Sequence, residues 1–333
     1  MAYEPNQVLS GLLRDVSRSF YLTLRVLPAI IRPQIGLAYL LARTTDTIAD
    51  TELVPLEVRL EALQKLRLKI LGKETTAPDF SQLAGCQGSA AERALLEKCG
   101  ASLALLEGLS ASDRQLVRQV LEIITGGQEQ DLRRFGGASL EQLAALETGS
   151  ELDDYTYRVA GCVGEFWTRM CRAHLFPNAV LDEPALLAKA VRFGKGLQLV
   201  NILRDVAADL RQGRCYLPRV ELAEGGLSPK DLLSPVNEQR FRPVYNRWLE
   251  RADDHLRAGW IYTNLLPRSC LRVRLACAWP LLIGRDTLQL LGTANPLEPE
   301  KRLKVSRRRV RAIMLRSVVL YPWSGLWKSL YDR

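Results

Sequence analysis

Two pairs of aspartates stand at a spacing suited to handling charged oxygen. Asp46 and Asp50 in TTDTIAD, and Asp205 and Asp209 in NILRDVAADL, are each four residues apart. On a helix both carboxylates of a pair leave one face and can share a cation. Carboxylates crowded together repel unless a hard cation lies between them, and Mg²⁺ keeps few protein ligands while readily taking phosphate oxygens. Arg43 stands three residues before Asp46 and Arg204 immediately before Asp205. Each arginine is placed either to neutralise phosphate oxygens or to bond its neighbouring aspartate. A single Asp-x-x-x-Asp reads most simply as a solvated helix face. Both pairs here interrupt apolar helices, LAYLLARTTDTIAD and GKGLQLVNILRDVAAD, where charge is out of place unless it lines a cavity. The expectation is one Mg²⁺-dependent site that handles diphosphate.

The elements that must position these residues read as helices throughout. Stretches alternating Val, Ile or Thr with polar residues are hard to find, while helix formers recur at three- and four-residue steps. The fold class is therefore all-α. Periodicity predicts helices over 7–27, 33–50, 55–71, 90–109, 112–135, 140–146, 151–175, 184–212, 238–265, 269–291 and 299–319. Pro33 suits a first turn, Gly136, Gly137 and Gly213 suit stops, and 72–88 reads as a long loop. The stretch 214–235, with Pro218, Gly225, Gly226, Pro229 and Pro235, is the most broken. The expected organisation is a catalytic domain over 1–292 with a basic amphipathic C-terminal extension over 293–333.

Composition narrows the function classes. The 333 residues, 47% hydrophobic, suffice for a substantial core, and the net charge of +9 favours anionic partners. Much of that excess lies between Lys301 and Arg316. A nucleic-acid role is not expected, since the basic tail lacks interleaved aromatics and a helix-turn-helix. The seven cysteines are scattered without Cys-x-x-Cys, and two histidines do not make a zinc site. Reduced, packing cysteines fit a cytoplasmic protein. The start of the sequence lacks the basic and apolar blocks of a secretory signal, and no run of about 18 uncharged apolar residues reads as a membrane span.

The segments SRSF (Ser17 to Phe20), AYLLARTTDTIAD (Ala38 to Asp50), YTYRVAGCVG (Tyr155 to Gly164) and GLQLVNILRDVAADLRQGRCYLP (Gly196 to Pro218) resemble the head-to-head isoprenoid synthases, the squalene and phytoene synthase family. They span most of the chain in the family's order. The resemblance implies a helical isoprenoid-synthase bundle around an apolar cavity, with the aspartate pairs facing each other across its mouth. It implies that Asp46, Asp50, Asp205 and Asp209 hold Mg²⁺ on the diphosphates of two farnesyl diphosphate molecules. Ser17, Arg18, Phe20, Arg43, Gln198, Asn201 and Arg204 would bind substrate, with Arg18, Arg43 and Arg204 also near cofactor. Tyr39 and Tyr155 would stand near the reacting carbons, where a phenol stabilises cationic charge or steers a proton. The sequence departs from the animal-type pattern at Ala49, where an acidic residue precedes the last aspartate, and Ala208 occupies the matching place before Asp209. Two carboxylates per motif must then suffice.

The implied reaction is condensation to presqualene diphosphate followed by NADPH-dependent reduction to squalene, as in bacterial squalene-forming members. The alternatives are phytoene or dehydrosqualene formation without reductant, release of presqualene diphosphate, and a non-catalytic helical assembly factor. No Gly-x-Gly-x-x-Gly turn is present, so NADPH would bind on the helical scaffold. The stretch ANPLEPEKRLKVSRRRVRAIM, following ACAWP, resembles the segment that supplies basic residues to NADPH, which points to Lys304 and Arg307. The same stretch, with Ile313, Leu315, Val318, Val319, Leu320, Trp323 and Trp327 as its apolar side, also reads as a helix lying on an anionic membrane. The implied location is peripheral to the inner face of a membrane.

Overall fold

A computed structural model of the chain describes residues 5–17, 20–76, 78–298 and 303–332. The helices run in order as α1 (Pro5–Val16), α2 (Phe20–Val26), α3 (Arg32–Ala49), α4 (Leu56–Ile70), α5 (Ser81–Gly85), α6 (Ala90–Glu97), α7 (Cys99–Glu107) and α8 (Ala111–Phe135). Then follow strand β1 (Ala144–Ala145), α9 (Gly149–Thr156), a π-helical turn (Tyr157–Gly161), α10 (Cys162–Leu175) and α11 (Glu183–Arg211). Strand β2 (Arg214–Cys215), α12 (Arg219–Glu224), α13 (Glu238–Leu265), α14 (Leu271–Thr293), α15 (Arg307–Leu320) and α16 (Ser324–Lys328) complete the chain, with short 3₁₀ turns before α13. The fold is all-α, as its periodicity implies.

The contacts gather the chain into two compact units. The first joins Met1–Gly136 with Phe166–Pro177, and the second joins Gly137–Glu165 with Asn178–Arg333. In the first unit α3 is the central helix, packed by α8, α4 and α7. Its buried side carries Leu37, Leu40, Leu41 and Ile48. Pro33 sits in its first turn, and Asp50 closes its end by donating its backbone N–H to the Asp46 carbonyl at 2.9 Å. Asp113, buried at the start of α8, accepts from Gln34 of α3 at 3.2 Å and bonds His174 of α10 at 2.7 Å, which ties three helices together.

In the second unit α11 is the central helix, packed chiefly by α13 and the π-turn. Glycines make those approaches close. A methyl at Gly194 would collide with the Ala160 carbonyl, and one at Gly164 with the Ala190 carbonyl. On the α13 side, Gly196 faces Leu256 and Gly259 faces Phe193.

Several boundaries differ from the periodic reading. The helix expected over 140–146 is replaced by β1, which pairs in parallel with β2, Ala144 against Arg214. Two bonds explain the extended form: Ala144 N–H to the Gly213 carbonyl at 2.9 Å, and Leu146 N–H to the Cys215 carbonyl at 3.0 Å. Gly213 turns the chain there with φ +80°, beside Ser139. The helix expected over 7–27 ends at Val16 and resumes at Phe20. The one over 90–109 breaks at Lys98, and the loop 72–88 contains α5. The last long helix begins at Arg307, where the Ser306 hydroxyl accepts from the Arg309 N–H. Among the described residues no helix is long and apolar enough to cross a membrane.

Candidate active site

On α3, Tyr39, Arg43, Asp46 and Asp50 follow at steps of four, three and four, so they form one stripe along the helix. Thr44 and Thr45, on other sides, are buried and return their hydroxyls to the Leu40 and Ala42 carbonyls. The functional stripe stays open: Tyr39 and Asp46 are half-buried and Asp50 is exposed. Arg43 bonds Asp46 through Nη1 and Glu92 of α6 through Nη2, the latter at 2.7 Å. Burial works against the Arg43 charge, but Asp46 and Glu92 together hold its pKa above the ordinary value. The sequence reading did not find Glu92, which a remote helix brings in. The Tyr39 hydroxyl reaches the Val16 carbonyl at a long 3.4 Å.

The segment before α2 divides. Ser17 is buried and donates its hydroxyl back to the Leu13 carbonyl, so its proton is used inside the turn that ends α1. Phe20 opens α2. Arg18 lies outside the described residues.

On α11, Gln198, Asn201, Asp205 and Asp209 follow at steps of three, four and four, again one stripe. Gln198, Asp205 and Asp209 are half-buried and Asn201 is exposed, while Leu199, Leu203, Val206 and Leu210 on adjoining sides are buried. Arg204 grips Asp205 with two bonds, Nε at 3.0 Å and Nη2 at 2.5 Å. Both arginines thus rest on their neighbouring carboxylates. Tyr245 of α13, fully buried, donates to the Leu203 carbonyl at 2.8 Å. Burial raises its pKa, which keeps it a neutral donor. It fixes the backbone one residue before Arg204.

Tyr155 lies in the last turn of α9 and stacks on Tyr216, ring centroids 4.9 Å apart at 27°. Tyr216 follows Cys215 of β2, whose thiol burial pushes up to about 12. Tyr216 thus follows directly on the short β1–β2 pairing. Neither Tyr216 nor Tyr245 was assigned from sequence, although Tyr216 lies within the quoted GRCYLP segment. Near the same turn, Lys195 bonds Asp153 at 2.7 Å.

The donor set on each stripe suits a hard cation. Among the described residues no three His, Cys, Asp or Glu side chains converge as a metal cluster. Each helix offers two half-open or exposed carboxylates with one guanidinium beside them. Two oxygen donors leave most of an octahedral Mg²⁺ shell for water and phosphate. Lys304, in the segment before α15, and Arg307, its first residue, are both exposed.

The family model described as squalene/phytoene synthase matches residues 13–309. The chain belongs to that family. A squalene/phytoene synthase relative, the bifunctional lycopene cyclase/phytoene synthase of Colletotrichum graminicola, is 32% identical over 73% of this chain, which spans 39% of that longer protein. The presqualene diphosphate synthase of Sinorhizobium fredii is 29% identical over 91% of this chain and 93% of its own length. Among solved structures, TcSQS in complex with the ligand E5700 superposes with a TM-score of 0.80 at 21% identity, covering 98% of this chain and 90% of that one. That likeness shows the fold of the squalene/phytoene synthases. Family membership makes the chain an isoprenoid-biosynthesis transferase of the head-to-head type.

Proposed function

We propose that the chain condenses two farnesyl diphosphates to presqualene diphosphate with Mg²⁺ and then, with NADPH, converts that intermediate to squalene. The observation that carries this reading is the repeated stripe. Two helices each present an aspartate pair at one-turn spacing beside an arginine, which is provision for two diphosphates. Bound Mg²⁺ supplies the positive charge that lets diphosphate leave as an anion.

The residues of the chain do the rest. Asp46 with Asp50, and Asp205 with Asp209, would hold the cation and with it a diphosphate on their helices. Asp46 and Asp205 would hold the cation, and Arg43 and Arg204 would then bond phosphate oxygens, to which a planar guanidinium bonds well. Glu92 would keep its bond to the other side of Arg43. Departure of diphosphate leaves an allylic cation, which must meet the double bond of the second substrate before water does. Tyr39 and the stacked Tyr155 and Tyr216 offer aromatic faces and a phenol for that charge and its proton. Gln198 and Asn201 continue the α11 stripe toward the prenyl chain. Lys304 and Arg307 would take phosphates of NADPH, which supplies hydride.

A second reading, release of presqualene diphosphate as the product, is favoured by the end-to-end match to the Sinorhizobium enzyme. Incubation with farnesyl diphosphate and Mg²⁺, with and without NADPH, separates the two. Squalene that appears only with NADPH supports the first. Presqualene diphosphate accumulating in both supports the second, and phytoene-type hydrocarbon without reductant overturns both.

A further inference from the structure

The first unit carries a cleft of about 450 Å³ that shares no residue with the α3 stripe. It runs along one face of α8 past Arg114, Gln115, Arg118, Gln119 and Glu122, and Lys73 walls it from beyond the end of α4. The α8 positions recur at steps of about three and four, as one helix face requires.

How α4 stops decides the wall opposite α8. The Gly72 N–H donates to the Lys69 carbonyl at 3.0 Å and the Lys73 N–H to the Leu68 carbonyl at 2.9 Å, with Gly72 at φ +72°. This Schellman closure fixes where Lys73 leaves the helix. A Cβ at Gly72 would stand 2.7 Å from Nη2 of Arg118, so the glycine leaves the room that the guanidinium fills. Arg118 is held there from two sides, with Nε donating to the Ile70 carbonyl at 2.8 Å and Nη2 to Glu107 of α7 at 2.6 Å. Arg114 donates through Nη1 to the Glu107 backbone carbonyl at 2.6 Å.

Lys73, Arg114 and Arg118 thus bring three cations to the cleft, and the two arginines share the one Glu107 carboxylate. Among the described residues no acceptor meets the Lys73 ammonium or Nη1 of Arg118. Those donors favour an anion, and so does the positive end of α8, whose first residue Ala111 also lines the cleft. A bare phosphate would leave most of the volume unfilled. Gln115, Gln119 and Glu122 supply donors and acceptors for the hydroxyl groups of a larger body, and the volume falls within the range of about 300–1,000 Å³ usual for small-molecule sites.

We propose that this cleft binds a small phosphorylated molecule with a hydroxylated body, its phosphate on Lys73 and Arg118 and its hydroxyls on Gln115, Gln119 and Glu122. The site is independent of the reaction at the aspartate stripes. Isothermal titration of the full chain with ADP, glucose-6-phosphate and inorganic phosphate tests it, in EDTA so that no Mg²⁺ holds phosphate on the aspartates. At least one organic phosphate should bind about tenfold or more tightly than inorganic phosphate, and comparing the two separates a nucleotide from a sugar phosphate. Lys73→Gln should weaken that binding about tenfold, the scale of one charge-assisted bond. Gln115→Trp should abolish it by filling the cleft. Both replaced side chains are exposed, so both variants should keep the parent's melting temperature. Arg118→Gln should weaken binding and also lower the melting temperature, because it cuts the tie to α4 and α7. Organic phosphates that bind no better than inorganic phosphate, or parent-like binding in Lys73→Gln and Gln115→Trp, would overturn the proposal.

Discussion

Asp46 and Asp205 each hold an arginine that the proposed chemistry needs elsewhere, so replacing either carboxylate tests metal anchoring without emptying the core. Both lie on half-open stripes, where a substitution costs little stability. Asp46→Asn and Asp205→Asn should each lower kcat/KM by at least about 100-fold, the scale of a lost charge-stabilising contact, with the melting temperature held. Full turnover in either variant, measured with farnesyl diphosphate and Mg²⁺, would remove the metal-site assignment. The four aspartates were legible from helical spacing and Arg43 and Arg204 from their closeness to them, whereas Tyr39 and Tyr155 came from the family resemblance. Glu92, Tyr216 and Tyr245 were not legible, because each reaches its partner from another element. The carbonyl held by Tyr245 belongs to Leu203, which no side-chain motif marks.

At the scale of elements, the seam between α11 and the π-turn decides where Tyr155 stands. Gly194→Ala offers a clear sign. Helix propensity favours alanine by about 1 kcal/mol, whereas the added methyl would strike the Ala160 backbone, an overpacking that costs about 1–3 kcal/mol. The backbone cannot rotate away as a side chain would, so packing should win. The variant should melt lower and turn over more slowly, and a higher melting temperature would show the seam to be looser. On the opposite side of α11, His255 has its pKa lowered to about 4 by burial, with Arg192 and Lys195 adding to the effect. An unfolded histidine titrates near about 6.5, so the unfolded chain binds the extra proton first. The contribution is present above about pH 6.5 and is lost as pH falls toward about 4. The melting temperature of the parent should drop across that window more steeply than that of His255→Gln, and parallel profiles would contradict the assignment.

For the whole molecule, the tail belongs to the second of the two units. Trp327, Leu330 and Tyr331 are all buried, and Arg285 donates to the Leu330 carbonyl at 3.2 Å. Trp327→Ala should therefore destabilise the chain by about 3–5 kcal/mol, read as a lower urea midpoint. A midpoint shift below about 1 kcal/mol would mean that the tail is only draped on the surface. Burial pushes the thiols of Cys99 and Cys162 up to about 12, which fits packing residues. Cys86 and Cys270, half-buried, should be the thiols that a labelling reagent reaches in the native chain.

Sequence by itself determined the all-α class, the positions of α3, α4, α8, α11 and α13 to within a residue or two, and the two carboxylate stripes. Each of these is a property of one helix, written in a local period of apolar and polar residues. Tertiary structure decided what no local period contains. The helix-like run over 140–146 became β1 because the Gly213 and Cys215 carbonyls were available to its amides. Ile313 and Trp327, equal in hydropathy terms to their exposed neighbours, became core, whereas Leu315 and Trp323 stayed outside. Which apolar residue is buried depends on what packs over it: for α15 that choice rests with α14, and for Trp327 of α16 with Trp260 of α13.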